Sequence, residues 1–224
     1  MIYGVPRGFD EENIDFSHIA VFDRVIWRWR EGVFGVVEAT GSSRVEVTDG
    51  IVASSTNTNY GFSRRYSLHM VANNGYAKVT QSYFVPVRNM SYLFFYGVFD
   101  VVNTSTGNVF EIDFYVGNGS TRYDYLVRWD DNGWSFLVSG VPVIISSDRT
   151  TDPSHRVFVG LLIDLSNYYV VDCFAGGRHV PNLGWNTQTS ENKYVVGLML
   201  KFANSQASDK RVRVYELGVL GKTR

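Results

Sequence analysis

The amino-acid sequence predicts an all-β chain whose two antiparallel sheets pack face to face as a jelly-roll sandwich. The composition is 45% hydrophobic and 15% aromatic, and aromatic and β-branched residues fit half-buried strands better than helices. Apolar residues recur at every second position through most of the chain, which is the period of a strand with one buried face. Turn residues recur roughly every 8–14 positions, as expected of a sandwich. We expect one domain over residues 1–224, with residues 1–20 as a candidate N-terminal extension in which Asp10–His18 is the best helix candidate.

The first predicted strands are short and amphipathic. Segment 25–30 alternates, with Trp27 and Trp29 on one face and arginines on the other, and it resembles an edge strand. Asp49-Gly50 lies between two apolar runs and predicts a hairpin, because glycine tolerates the positive φ of a tight turn. The short strands around it are predicted over residues 33–38, 44–47 and 51–55.

Longer strands follow in the middle of the chain. Strands are predicted over residues 64–70 and 76–84, and Asn73-Asn74-Gly75 between them predicts another hairpin turn. Tyr92–Asp100 is apolar at nearly every position, so this strand should have both faces buried and lie inside a sheet. Two further segments have the same character, namely Arg156–Asp164 and Tyr194–Phe202.

The rest of the chain alternates between apolar and polar residues with short turns. Two polar stretches, 54–63 and 182–193, are predicted to be loops, and the second contains Trp185. Neither is long enough to divide the chain into domains. The remaining strands are predicted over residues 108–116, 122–129, 134–138, 141–145, 168–174 and 211–220.

Charge and cysteine content narrow the function. The formal net charge is −1 and no block of like charge occurs, which argues against a nucleic-acid binder or an anionic-membrane binder. No apolar run is long enough to insert into a membrane, and the N-terminus lacks the basic start and apolar stretch of a signal peptide, so we leave the localisation open. The single cysteine, Cys173, lies in an apolar run and should be a buried, unreactive thiol.

The second half of the chain resembles the superfamily of concanavalin A-like lectins and glucanases, which includes laminin-G-like domains. The resemblance covers roughly residues 108–221 and is a pattern of strands. It implies a two-sheet jelly roll, a fold that hosts lectins, hydrolases, lyases and virion proteins. The segments that resemble the superfamily are Trp134-Ser135-Phe136, 155–164, Tyr169-Val170-Val171-Asp172 and 214–219.

Glu111-Ile112-Asp113 resembles the start of the laminarinase-like hydrolase motif, Glu-x-Asp-x-Glu or Glu-x-Asp-x-x-Glu. The resemblance would make Glu111 the nucleophile and Asp113 the residue that tunes it. The last Glu of the motif, the general acid, is replaced by Tyr115, or by Val116 in the bulged form. Retaining hydrolysis needs two carboxyl groups about 5–5.5 Å apart, so this strand does not supply the full pair.

The alternative interpretation is a solvent-facing acidic pair on an ordinary strand. In the next predicted strand, Arg122 and Arg128 share one face, and Tyr125 lies on the other. If the two strands pair, Glu111 and Asp113 face arginines across the sheet and form ion pairs. The same polar face could hold a sugar, because guanidinium and carboxylate groups bind hydroxyls.

Tryptophan supplies the second indication of a ligand. Sugar rings stack their C–H faces on indole, which joins a large apolar surface to a polar N–H. Trp185 lies in a polar loop, and Trp134 follows the turn Asp130-Asp131-Asn132-Gly133. The alternative for each is that it packs on its own sheet.

Metal and cofactor sites are not expected. Asp130-Asp131-Asn132-Gly133 offers clustered oxygens, but it lacks the spaced acids of a calcium loop and is typical of a turn, so calcium remains only an alternative. The four histidines are scattered, and no zinc, phosphate-loop or nucleophile-elbow motif occurs in the sequence.

The leading hypothesis is therefore a non-catalytic protein that binds a glycan or polysaccharide. Two alternatives stay open: a structural subunit of a virion, surface layer or appendage that self-associates, and a glycoside hydrolase or polysaccharide lyase with an unrecognised active site. We leave catalysis undecided, with a non-enzyme favoured. The candidate ligand-binding residues are Trp185, Trp134, Glu111, Asp113, Arg128 and Arg122.

Overall fold

In a computed structural model, two antiparallel sheets pack face to face, which confirms the predicted all-β sandwich. No helix among the described residues is both long and apolar enough to cross a membrane. The predicted extension 1–20, its helix candidate and the loop 54–63 lie outside the described residues. The structure describes residues 22, 24–28, 36–47, 50–53, 68–102, 106–147, 156–190 and 193–224.

The strands, in chain order, are β1 (Arg24–Arg28), β2 (Val36–Ala39), β3 (Arg44–Val47), β4 (Gly50–Ala53), β5 (Leu68–Ala72), β6 (Gly75–Tyr83), β7 (Met90–Val102), β8 (Asn108–Asn118), β9 (Thr121–Asp130), β10 (Gly133–Val138), β11 (Val141–Ser146), β12 (Val157–Asp164), β13 (Tyr169–Ala175), β14 (Arg178–Pro181), β15 (Thr187–Ser190), β16 (Tyr194–Asn204) and β17 (Lys210–Thr223). A short 3-10 helix, Val87–Asn89, precedes β7.

One sheet has nine described strands and the other has eight. The nine-stranded sheet runs β14-β13-β12-β7-β17-β5-β3-β4, and β1 also pairs with β17. The eight-stranded sheet runs β11-β10-β9-β8-β16-β6-β2, and β15 also pairs with β9. The three segments predicted to be internal are internal, since β7, β12 and β16 each have neighbours on both sides.

The core lies between the sheets and follows the predicted alternation. On β8, Phe110, Ile112 and Phe114 are buried, and Glu111 and Asp113 face outward. On the neighbouring strand the buried residues are Tyr125, Val127 and Trp129. Cys173 is also fully buried, and burial raises the pKa of its thiol, so the thiolate needed for reaction is disfavoured.

The predicted hairpin at Asn73-Asn74-Gly75 is wrong. β5 pairs with β17 and β3, and β6 pairs with β16 and β2, so the chain crosses here from one sheet to the other. Asn74 has a left-handed φ of 46°, and its N–H donates to the carbonyl of Gln206 at 2.8 Å. The sequence therefore identified a turn correctly, but the strands on either side of it pair with distant strands and not with each other.

The predicted loop 182–193 is also shorter than expected. Thr187–Ser190 forms β15, which pairs with β9, and the preceding β14 was not predicted at all. All four β15 residues are exposed and polar, so the apolar alternation that indicates a strand is missing there. The predicted hairpin around Asp49-Gly50 is confirmed, because β3 and β4 pair antiparallel.

Candidate functional site

Glu111 and Asp113 lie next to each other on the outer face of the eight-stranded sheet and form the predicted cross-strand ion pairs. An Arg128 Nη2 lies 3.6 Å from Glu111 Oε1, and Lys201 Nζ of β16 lies 3.7 Å from Glu111 Oε2. Arg122 Nη2 lies 3.9 Å from Asp113 Oδ2. Both carboxylates therefore already face cations. We use the name charged face for these side chains together with the neighbouring Asp124, and the members are Glu111, Asp113, Arg122, Asp124, Arg128 and Lys201.

Arg122 connects the charged face to β15. Its Nε and Nη2 atoms contact Asp124 Oδ1 at 2.7 and 2.6 Å, and its guanidinium lies over the Tyr115 ring, 4.1 Å from the centroid. The other oxygen of Asp124 accepts a hydrogen bond from Thr189 Oγ1 at 3.2 Å. The guanidinium of Arg122 is thus shared between the carboxylates of Asp113 and Asp124. The carboxylate of Asp124 also binds β15 through Thr189.

Asp113 is the unusual acid of the charged face. Burial and the nearby Asp124 carboxylate raise its pKa to about 7, and Arg122 lowers it by less than these raise it. Its Oδ1 atom is buried without a hydrogen-bond partner among the described residues. The side chain can exchange a proton near neutral pH. Two positions along β8, where the hydrolase motif has its general acid, Tyr115 is 5% exposed and belongs to the buried residues.

Trp134 does not lie at the surface. It is 1% exposed, and its ring contacts Phe110 edge-on at 6.4 Å between centroids. It pairs with Trp129 across β9 and β10, so it packs in the core and offers no face to a sugar. The prediction of an exposed ligand residue at Trp134 is corrected because the first residue after this tight turn already points inward.

Trp185 lies at the surface, in the segment between β14 and β15. Its carbonyl accepts from the N–H of Val170 at 3.4 Å, and the N–H of Gly184 donates to the Val170 carbonyl at 3.1 Å. The indole is half-buried and packs against the edge of the core. Its Nε1 atom is buried without a partner among the described residues. The segment is therefore fixed to the start of β13 by backbone hydrogen bonds.

Trp185 lines an open pocket of about 430 Å³. Two of its lining residues adjoin strands that pair with the same edge of β9: Ser139 follows β10, which pairs with β9 as far as Val127, and Thr187 begins β15 opposite Asp124. The lining residues come from the β10–β11 turn, the start of β13 and the segment 184–188, and they are Ser139, Tyr169, Gly184, Trp185, Asn186, Thr187 and Gln188. We call this the Trp185 pocket.

The floor of the Trp185 pocket is held by amide hydrogen bonds. Asn186 Nδ2 donates to the carbonyl of Tyr168 at 2.9 Å, and Gln188 Nε2 donates to Asn186 Oδ1 at 3.3 Å. Asn186 is 8% exposed. Both polar atoms of the Asn186 amide thus make hydrogen bonds within the protein. The exposed hydroxyl and amide groups around it are available to a ligand.

Sequence reasoning found one of the seven lining residues. Ser139 and Tyr169 were assigned only to strands or turns, and their approach to Trp185 depends on how β10, β13 and β15 meet. No sequence pattern marks these two residues. In the structure, Ser139 and Tyr168, which precedes Tyr169, have left-handed φ values of 50° and 61°, which non-glycine residues seldom adopt. Of the other predicted site residues, Glu111, Asp113, Arg122 and Arg128 lie together on the charged face, outside this pocket.

The oxygen-rich turn 130–133 was the alternative site for calcium. In the part of the chain that the structure describes, no group of three or more histidine, cysteine, aspartate or glutamate side chains is arranged to hold an ion. The turn after β9 is closed by its own contacts, with Asp130 Oδ1 accepting from the N–H of Asn132 at 2.8 Å. Asp131 Oδ2 accepts from the N–H of Gly107 at 2.9 Å. These oxygens stabilise loops.

Comparison with known proteins gives only distant structural likeness. No family model matches the chain, and no curated protein matches it. Among solved structures, a Trypanosoma rangeli sialidase is 12% identical with a TM-score of 0.45 over 85% of this chain, which spans only 31% of the sialidase chain. A Bacillus licheniformis β-glucanase is 11% identical with a TM-score of 0.46, covering 85% of this chain and 93% of its own. Peanut lectin is 10% identical with a TM-score of 0.48, covering 87% and 96%. At these identities and TM-scores the likeness assigns neither a superfamily nor a ligand.

Proposed function

We propose that this chain is a non-catalytic carbohydrate-binding sandwich whose ligand occupies the Trp185 pocket. The supporting observation is the lining itself, which places the indole of Trp185 and the phenol of Tyr169 among hydroxyl and amide side chains. Aromatic surfaces suit the C–H faces of sugar rings, and a few convergent polar groups fix orientation. The volume of about 430 Å³ falls in the range of ~300–1,000 Å³ typical of small-molecule sites.

The charged face is the weaker candidate for the primary site. Glu111 contacts Arg128 and Lys201, and Asp113 contacts Arg122. A ligand there would have to replace these ion pairs, and breaking a partly buried pair leaves charges without compensation. We therefore assign the charged face a secondary role; it contacts β15 through the Thr189–Asp124 hydrogen bond, and β15 contributes Thr187 and Gln188 to the pocket.

A glycan array at neutral pH, with and without calcium, tests the proposal. We expect specific hits whose affinity falls at least ~10-fold in Trp185→Ala, which corresponds to about 1.4 kcal/mol. Because Trp185 also packs against the core, Tyr169→Ala provides a second test, since Tyr169 is 44% exposed and its removal should leave the fold intact.

The matched control is Phe84→Ala, which removes an aromatic ring that is 77% exposed and does not line the pocket. It should bind as the wild type does. A blank array on folded protein, or hits that are unaffected by Trp185→Ala and Tyr169→Ala, would reject the Trp185 pocket as a glycan site.

Assembly into a larger structure is a second candidate, supported by the exposed apolar strand β11. This strand ends the eight-stranded sheet, and Val141, Val143 and Ile144 are 63%, 37% and 49% exposed. Contiguous apolar side chains at a sheet edge favour association. Pro142 has no N–H to extend the ladder, so a second copy would meet this strand mainly through side chains.

Size-exclusion chromatography over a range of concentrations tests this candidate. If β11 is the contact, the wild type elutes as an assembly, and Val141→Glu with Ile144→Glu elutes as a monomer. A wild type that stays monomeric at the highest concentration contradicts it. Both substituted side chains are exposed, so the variant should remain folded.

A further inference from the structure

The Trp185 pocket is lined by neutral side chains only. Its lining contains an indole, a phenol, two aliphatic hydroxyls and two amides, and none of these described residues carries a charge at neutral pH. We propose that the pocket accepts uncharged saccharides and discriminates against sugars that carry a carboxylate, such as uronates and sialates. This inference rests on the proposed function and names its ligand class.

The charged groups that contact β15 would not help an acidic sugar. β15 contacts the charged face through Thr189, whose hydroxyl donates to the carboxylate of Asp124. The guanidinium of Arg122, which could have recognised an acid, contacts that carboxylate at 2.6 Å and lies over Tyr115. The guanidinium on this side of β15 is therefore already paired with a carboxylate of the chain.

Because the floor of the pocket is buried, a carboxylate bound there without a cation would weaken binding. Asn186 is 8% exposed, and its amide is bonded to Tyr168 and Gln188, so it cannot turn to solvate a charge. An ionised carboxylate that leaves water without a partner loses solvation that neutral donors only partly restore. A sugar hydroxyl loses much less on entering the same place.

The remaining polar groups are suited to hydroxyls. The side chains of Ser139, Thr187 and Tyr169 each donate and accept a hydrogen bond. Gln188 uses one amide hydrogen on Asn186 and retains its carbonyl oxygen and a second hydrogen at the exposed edge. Sugar hydroxyls also donate and accept, so each can be satisfied here without a change in ionisation.

Titration against matched sugar pairs tests the inference. The probes are neutral oligosaccharides and their acidic counterparts. Each counterpart is either oxidised at C6 to the uronate or extended by a terminal sialic acid. All titrations use the full chain at pH 7.5. We expect the neutral member of each bound pair to bind at least ~10-fold more tightly. Equal or tighter binding of the acidic members, still sensitive to Tyr169→Ala, would overturn the inference and leave the proposed function standing. No binding by either member would reject both.

Substitution at Gln188 separates charge from shape. Gln188 is exposed on β15, so Gln188→Lys adds a cation without burying it, and Gln188→Ala removes the same amide without adding charge. Gln188→Lys should reduce the preference for neutral sugars several-fold, and Gln188→Ala should keep that preference. If Gln188→Lys keeps the full preference, the neutral lining is not its cause and the inference fails.

Discussion

The side-chain amide of Asn186 donates to the carbonyl oxygen of Tyr168 at 2.9 Å. The same carbonyl accepts the hydroxyl of Tyr125 at 2.8 Å, and the Tyr168 ring stacks on Tyr123 with centroids 4.1 Å apart. Tyr123 and Tyr125 both belong to β9. The turn before β13 and the segment before β15 are therefore fixed to one core strand, which makes the Trp185 pocket preorganised.

Removing the Asn186 amide should loosen this pocket. We expect Asn186→Ala to lower the free energy of unfolding by about 1–2 kcal/mol, because a buried hydrogen-bonded amide is lost, and to weaken sugar binding because Trp185 and Gln188 lose their support. Chemical denaturation and a binding titration measure the two effects. Asn186→Asp has the same shape but puts a carboxylate oxygen against the Tyr168 carbonyl, so it should be less stable than Asn186→Ala. A variant as stable as the wild type would show that the contact contributes little.

The carboxyl of Asp113 makes stability depend on pH. Burial raises its pKa to about 7 in the folded chain, above the value of about 3.9 in an unfolded chain. The folded state thus binds this proton more tightly. The stabilisation is fully present below about pH 4 and is lost as the pH rises through 7.

Asp113→Asn removes that dependence, because a neutral amide replaces the buried charge and Arg122 keeps its contact with Asp124. At pH 8 we expect the variant to be more stable than the wild type by up to about 4 kcal/mol, because the pKa of Asp113 is raised by about 3 units and each unit corresponds to about 1.36 kcal/mol. At pH 4 the two should unfold together, which is the internal control. A difference that is the same at both pH values would contradict a raised pKa at Asp113.

Two turn glycines differ in the space around them. Gly133 and Gly140 have φ values of 95° and 78°, so alanine is strained at both, by roughly 1–2 kcal/mol. A Cβ at Gly133 would lie 2.3 Å from the carbonyl oxygen of Ser146, and one at Gly140 would meet nothing within 4 Å. Gly133→Ala should therefore cost a further ~1–3 kcal/mol. Thermal unfolding of the two variants measures this difference. Equal melting temperatures would mean that the backbone of β11 moves away to make room for the added Cβ at position 133.

Most strands were predictable because their alternation reflects which face is buried. The faces of β8 and β9 were assigned correctly, with Phe110 inside and Glu111 outside, since one-residue shifts would bury charge. β15 was missed because its four exposed polar residues carry no such signal. The crossing at Asn73–Gly75 was misassigned because turn residues determine the bend, whereas distant strands determine which sheet each side joins.

The candidate site was predictable only in part. Trp185 was identified because a tryptophan in a polar segment is unusual. Trp134 was a candidate because it follows a polar turn. It lies in the core, and its position after a tight turn says nothing about the direction of its side chain. Tyr169 and Ser139 carry no sequence signal, since they reach the pocket only through the packing of β13 and the β10–β11 turn against β15.

β9 pairs with β10 along one stretch and with β15 along another stretch of the same edge. The sheet depends on these pairings, whereas the segment that leads into β15 is free to vary in sequence. The chain leads into β15 through residues 182–186, which belong to no strand and make backbone hydrogen bonds to β13. Insertions or exchanges in that short segment would reshape the recognition surface and leave the sheet pairings in place. This region is therefore where relatives of this sandwich should diverge most in length, and where new specificities could be selected from a library on an unchanged scaffold.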